Sequence, residues 1–174
     1  MISEESPIPT AFVSHILAPG ILLSLLVEGV IFVVLYCRPR LLLGNYPKNV
    51  QRKVPPQNKQ EKKMTGVIST VLVLFMLCIP VLAVLHARYI SFWASFLNTY
   101  GILFIFNVFD LFFMDWLLVC TLTPKFLILP GTALKDGYKD YGKHVRDFFA
   151  GLFIAIFMSM IVAFFTAILT HTIQ

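Results

Sequence analysis

Charge is scarce in this chain. Only 13% of its 174 residues are Asp, Glu, Lys or Arg, against 58% apolar, whereas a typical soluble domain is about a quarter charged and roughly half apolar. A water-soluble fold of this length could not hide so much apolar surface. Paired cysteines are also missing. Cys37, Cys78 and Cys120 all lie in apolar stretches, and none belongs to a CxxC motif. They read as small apolar side chains, which argues against a membrane thiol–disulfide oxidoreductase. There is no Walker loop, no dinucleotide fingerprint and no serine in a GxSxG elbow. His15, His86, His144 and His171 form no HxxxH or HxxE pair, which argues against a multi-histidine metal centre. Finally, Met1–Thr10 has no Lys or Arg but carries Glu4 and Glu5. A secretory signal has a basic start and a shorter apolar core, so the apolar stretch that follows reads as a retained helix.

What the chain does have is four long apolar segments, Ala11–Cys37, Met64–Leu85, Phe92–Cys120 and Phe148–Leu169. Each exceeds the roughly 20 residues needed to cross about 30 Å of hydrocarbon. Between them lie two basic loops. Arg38–Lys63 holds Arg38, Arg40, Lys48, Arg52, Lys53, Lys59, Lys62 and Lys63, and Thr121–Asp147 holds Lys125, Lys135, Lys139, Lys143 and Arg146. Of the 14 Lys and Arg residues only Arg88 lies elsewhere. Lys and Arg beside membrane spans stay on the cytoplasmic face, so both loops are expected in the cytosol and both termini outside. The expected fold class is therefore all-α: a single transmembrane domain over residues 1–174, a bundle of four spanning helices, N-out and C-out. The net charge of +5 follows from topology rather than from nucleic-acid binding. It favours membrane lipids with anionic headgroups as partners.

The loops carry nearly all the polar material. In the first, Asn45-Tyr46-Pro47, Pro55-Pro56 and the mixed run Asn58–Lys63 favour an extended, partly mobile segment. In the second, Pro124 should end the third helix, Pro130-Gly131-Thr132 reads as a turn, and Thr132 suits an N-cap. A helical pattern from Leu134 is expected to run into the fourth span, weakened by Gly137 and Gly142. At about 100° per residue this junction sorts into three faces. Tyr138, Tyr141, Val145, Phe148 and Leu152 make an apolar stripe, and Lys139, Lys143 and Arg146 a basic one. Asp140, His144, Asp147 and Gly151 make the third. An interfacial amphipathic segment before the fourth span needs such a partition. Tyr89, Trp93 and Tyr100 suit an outer aromatic belt, Tyr36 and Trp116 an inner one. Pro19 and Pro80 are expected to kink their helices.

Ionisable groups inside a span are costly and mark functional candidates. Glu28 lies in the first span, and Asp110 and Asp115 lie in the third, with Asn107 one turn before Asp110. The first and third spans run in the same direction. Glu28 precedes Cys37 by nearly the same count as Asp110 precedes Cys120, so both carboxyls fall at similar depth in the cytoplasmic half. The face bearing Asp140, His144 and Asp147 begins where that half ends, and one cytosol-facing pocket could collect all of these groups. Carboxylates with a His can bind a divalent cation, so Asp110, Asp115, Asp140 and His144 form a candidate metal set. Buried carboxylates also shuttle protons, or serve as acid and base on a lipid headgroup. Against this stand ordinary explanations. Asp136/Lys139, Asp140/Lys143 and Lys143/Asp147 suit surface pairs at i,i+3 or i,i+4, and Glu28 and Asp110 could form an interhelical contact that only fixes packing.

The stretch Asn107-Val108-Phe109-Asp110-Leu111-Phe112-Phe113-Met114-Asp115-Trp116 resembles one in a family of small four-helix bacterial integral membrane proteins of unknown function. So do Pro130-Gly131-Thr132, Tyr138-Lys139-Asp140-Tyr141-Gly142-Lys143-His144, and Asn45-Tyr46-Pro47 with Val50-Gln51. The resemblance implies a four-helix fold in the bacterial cytoplasmic membrane and groups Asp110, Asp115, Tyr141 and His144 in one signature. It implies no activity. Three functions follow from the residues: a pocket that binds or transports a small cation, a proton or a lipid headgroup; a lipid-modifying membrane enzyme; or a structural subunit of a membrane complex. A homo-oligomer or a partner membrane protein is compatible with each.

Overall fold

The computed structural model describes residues 10–88, 91–134 and 137–173. In lipid, long apolar segments can satisfy their backbone N–H and C=O groups only by winding into helices or closing into barrels. The described residues contain helices and turns and no strand. In chain order the helices are α1 (Thr10–Cys37), a short α2 (Lys48–Gln51), α3 (Lys59–Ala87), α4 (Phe92–Phe109) and α5 (Tyr141–Ile173). A π-helix over Asp110–Leu122 continues α4 directly. Four of these helices, α1, α3, α4 with its π-helical extension, and α5, are long and apolar enough to cross a membrane. Leu25, Leu82, Leu97, Phe153 and Phe164 are each more than half exposed, which suits a lipid-facing exterior. Within the bundle Ser24, Ser159 and Thr166 turn their hydroxyls back onto the carbonyls of Gly20, Ala155 and Val162. Each of these hydroxyls thereby finds an acceptor within its own helix.

α4 is the central helix, packing chiefly against α1 and α5. Glycines allow the approach. A Cβ on Gly101 would lie 2.8 Å from Ile16, and one on Gly20 would lie 3.0 Å from Ile105. Because 16 meets 101 and 20 meets 105, α1 and α4 run in the same direction. On the α5 side, a Cβ on Gly151 would collide with the Asn107 side chain. Leu23, Val27, Ile102, Leu103, Phe106 and Ala155 fill the core between these helices.

The two basic loops fold onto one end of the bundle, called here the loop end. The first is not an extended, mobile segment. Pro39–Asn45 winds as a 3₁₀ helix with Leu41, Leu42 and Leu43 buried. The Gln51 amide donates to Gly44 and Tyr46 carbonyls, and that of Gln57 donates to the carbonyls of Arg40 and Leu41. Arg40 forks onto Glu61. The second span starts earlier than hydropathy suggests because Asn58 and Glu61 form a reciprocal capping box, which satisfies two end donors. The mixed run Asn58–Lys63 is therefore the first turn of α3.

The junction before the fourth span also differs from expectation. No helix runs through from Leu134. Residues 137–140 are non-helical, with Gly137 at φ +101°, a conformation open mainly to glycine. α5 begins at Tyr141, and Asp140 accepts the backbone N–H of Lys143 at 2.9 Å, so Asp140 acts as the cap and is not paired to the Lys143 ammonium. Thr132 is not an N-cap: its hydroxyl donates to the Leu129 carbonyl. Of the three faces, only residues from Tyr141 onward belong to a helix. Pro19 and Pro80 sit within α1 and α3 without ending them. Glu4, Glu5, Tyr89, Lys135 and Asp136 lie outside the described residues, as does the His171 side chain.

Candidate functional site

The site forms where the π-helix passes between the loop ends of α1 and α5. In an α-helix, residues five apart point about 140° from each other at 100° per residue. In a π-helix the hydrogen bond runs between residues five apart, so such residues stack on nearly one face. Asp110 and Asp115 are spaced in this way within Asp110–Leu122. The helix ends on the same pattern, with the Thr123 N–H bonded to the Leu118 carbonyl at 2.9 Å and Thr123 itself left-handed at φ +39°. Pro124 follows it, as expected for a helix end.

α5 supplies the partner. His144, 6% exposed, places Nδ1 2.8 Å from Asp115 Oδ1. Its Nε2 is buried without a hydrogen-bond partner. Lys143 pairs with Asp147 at 2.5 Å across one turn, as the i,i+4 spacing suggests. From α1 comes Glu28, 5% exposed, with neither carboxylate oxygen in a hydrogen bond of good geometry. Its charged neighbours are Asp110 and Asp115. Asp110 stands among Glu28, Asp115, His144 and Asp147. Three helices thus bring together Glu28, Asp110, Asp115 and His144.

A cavity of about 860 Å³ opens onto this group. Asp110, Asp115 and His144 line it from the bundle, while Lys48, Tyr46 and Tyr138 line it from the loops. Lys143, Arg146 and Asp147 border it on α5. Glu28 is not on the cavity wall; it neighbours Asp110, which is. The loop wall is cross-linked by hydrogen bonds and a ring contact. The Tyr138 hydroxyl accepts the Leu129 N–H at 3.0 Å and shares a 2.6 Å hydrogen bond with Thr132. Tyr46 packs edge-on against the Tyr138 ring and donates to the Leu127 carbonyl. Burial, with Tyr138 beside it, holds the Tyr46 hydroxyl well above the usual phenol range.

Other candidates stand apart. Asn107 donates to the Leu103 carbonyl one turn back and fills the space beside Gly151; it serves packing. Tyr141 is 43% exposed, and its hydroxyl shares a hydrogen bond with Thr121 outside the cavity. Among the described residues no three His, Cys, Asp or Glu side chains stand together as a set of metal ligands, and Asp140 is turned to the N-terminus of α5. Cys37, Cys78 and Cys120 are free thiols. His15 and His86 stack 6.2 Å apart at the opposite end.

Sequence reasoning missed Tyr46 and Tyr138, which shape the loop wall, and Lys48 at the mouth. The signal was present as apolar residues inside nominally polar loops: Leu41–Leu43, Val50, Leu127 and Leu129. It also placed Trp116 in an aromatic belt. Its ring does meet Phe112 and Tyr141 edge-on, but its indole N–H is buried without a partner.

No family model, curated protein or solved structure matches this chain.

Proposed function

We propose that this multi-pass membrane protein uses its cytosol-facing pocket to bind a small ligand, whether a cation, a proton or a lipid headgroup, against a wall of carboxylates. One observation carries the reading: Glu28, Asp110, Asp115 and His144, from three different helices, are gathered behind one cavity. Isolated carboxylates are expensive inside a bundle of low dielectric. A group that only fixed packing would be expected to pair with an opposite charge, yet Glu28 faces other carboxyls, Asp110 and Asp115, and the Nε2 of His144 has no partner. A positively charged ligand, or a shared proton, offsets that cost. The concentration of Lys and Arg in the two loops supports the cytosolic orientation, and the motif resemblance supports a bacterial cytoplasmic membrane.

Native mass spectrometry of the detergent-purified protein, wild type beside Asp110→Asn, tests this. The expected result is a bound small molecule or lipid that the variant loses while keeping its fold. Identical spectra with no ligand in either would overturn it and favour a structural subunit. The second reading, a lipid-modifying enzyme, draws on the imidazole that Asp115 orients with Nε2 free, the arrangement of a general base. Turnover of a phospholipid by the purified protein, lost in His144→Gln, would favour it over simple binding.

A further inference from the structure

The charges around the cavity do not all remain available to a ligand. Lys143 is neutralised by Asp147, Asp115 is held by His144, and Asp140 is spent on the N-terminus of α5. Once these internal pairs are set aside, two kinds of group are left. Deep in the bundle are the Asp110 carboxyl on the cavity wall, with Glu28 beside it, and the His144 imidazole, whose Nε2 is buried and unpartnered. At the mouth are Lys48 and Arg146, both exposed on the cavity rim and in no ion pair among the described residues. The leftover pattern is cationic outside and anionic inside.

Resting on the pocket reading above, we propose that the site recognises a phosphoester bearing a primary amine, with the ammonium innermost and the phosphate at the rim. A primary ammonium offers three N–H donors, and the Asp110 carboxylate on the cavity wall keeps lone pairs beyond the one that faces Glu28. The phosphate meets Lys48 and Arg146, cations suited to it as a point charge and as a planar fork. The same logic excludes a quaternary amine. Such a group has no N–H to give and is held by cages of aromatic faces. The two aromatic residues on the lining, Tyr46 and Tyr138, pack edge-on against each other 5.9 Å apart. The loops that carry the rim cations flank the membrane spans, so a phospholipid with an ethanolamine headgroup and a soluble phosphoamine share this chemistry.

The test titrates purified protein with phosphatidylethanolamine, phosphatidylcholine and soluble phosphoethanolamine, read by native mass spectrometry and by thermal shift. Phosphatidylethanolamine is expected to bind at least ~10-fold tighter than phosphatidylcholine, and Asp110→Asn to weaken it about tenfold. Arg146→Gln, a change at an exposed position, should weaken it severalfold with no change in melting temperature. That variant carries the test if Asp110→Asn fails to fold. Binding of phosphoethanolamine as tight as that of the lipid would uphold the chemistry and assign a soluble ligand. Equal binding of the two lipids would overturn the amine assignment. A different ligand, lost in Asp110→Asn while neither ethanolamine compound binds, would overturn this inference and leave the pocket standing. No ligand of any kind would overturn both.

Discussion

The two ends of the bundle are held together by different physics. At the end where α3 closes on Arg88 and α4 opens on Phe92, helices meet through shape. Gly20 and Gly101 let α1 and α4 touch backbone to side chain. The polar groups there are few and incompletely satisfied: Asn98 donates to the His15 carbonyl but leaves Oδ1 unpaired, and the buried Thr99 hydroxyl has no partner. At the loop end, side chains hold the loops by hydrogen bonds, two of them across long sequence separations. Tyr46 reaches Leu127, Thr65 reaches Leu41, and Tyr138 ties Leu129 to Thr132. Close packing works without directional bonds where both neighbours are helices. Loops have no internal ladder, so their carbonyls must be found one by one. The candidate site lies in the second kind of structure, where polar groups can be held at fixed positions.

Removing the centre of the loop-end network should have the largest effect. Tyr138 is 1% exposed, and Tyr138→Ala loses a buried ring together with the partners of Leu129 and Thr132. The expected cost is about 3–5 kcal/mol, read from thermal or denaturant unfolding in detergent. A cost under about 1 kcal/mol would mean that the loops are not integral to the fold. A smaller effect is expected from attacking shape at the other end. Gly101→Val places branches against Ile16 and should cost about 1–3 kcal/mol through overpacking. Gly66→Ala, with open space around its Cβ, should be neutral or stabilising. Equal responses of the two glycines would show that the α1–α4 approach does not matter. The smallest effect belongs to the local cap. Asn58→Ala breaks the box with Glu61 and should cost about 1 kcal/mol, with hydrogen exchange rising in the first turn of α3. Unchanged exchange there would remove the box as a determinant of where α3 begins.

The four spanning segments were legible because length and apolar content alone define them. The proximity of Glu28 and Asp110 was legible for a different reason: counting from the same end of two helices that run the same way gives depth without any knowledge of packing. The π-helix was not. A uniformly apolar stretch has little periodicity to read, so nothing in Leu111–Trp116 distinguishes a repeat of five from one of four. Spacing therefore joined Asp110 and Asp115 in one pocket without showing that the two share a face of their helix. Loop structure was lost to composition: proline and lysine in the first loop outweighed Leu41, Leu42, Leu43 and Val50, which turned out to be buried. The start of α3 was written in Asn58 and Glu61 at capping-box spacing, masked by the charges around them.

The π-helix also bears on length. Thirteen residues of α-helix would climb about 20 Å; wound wider, with each bond reaching one residue further, they climb less. The third span therefore uses 31 residues to cover a shorter distance than its count implies. Hydrophobic mismatch of that kind is otherwise relieved by tilting a helix or deforming the bilayer. Here the surplus goes into girth. The helix grows thicker toward the loop end, and the space beside it beneath the loops is where the acidic chamber sits.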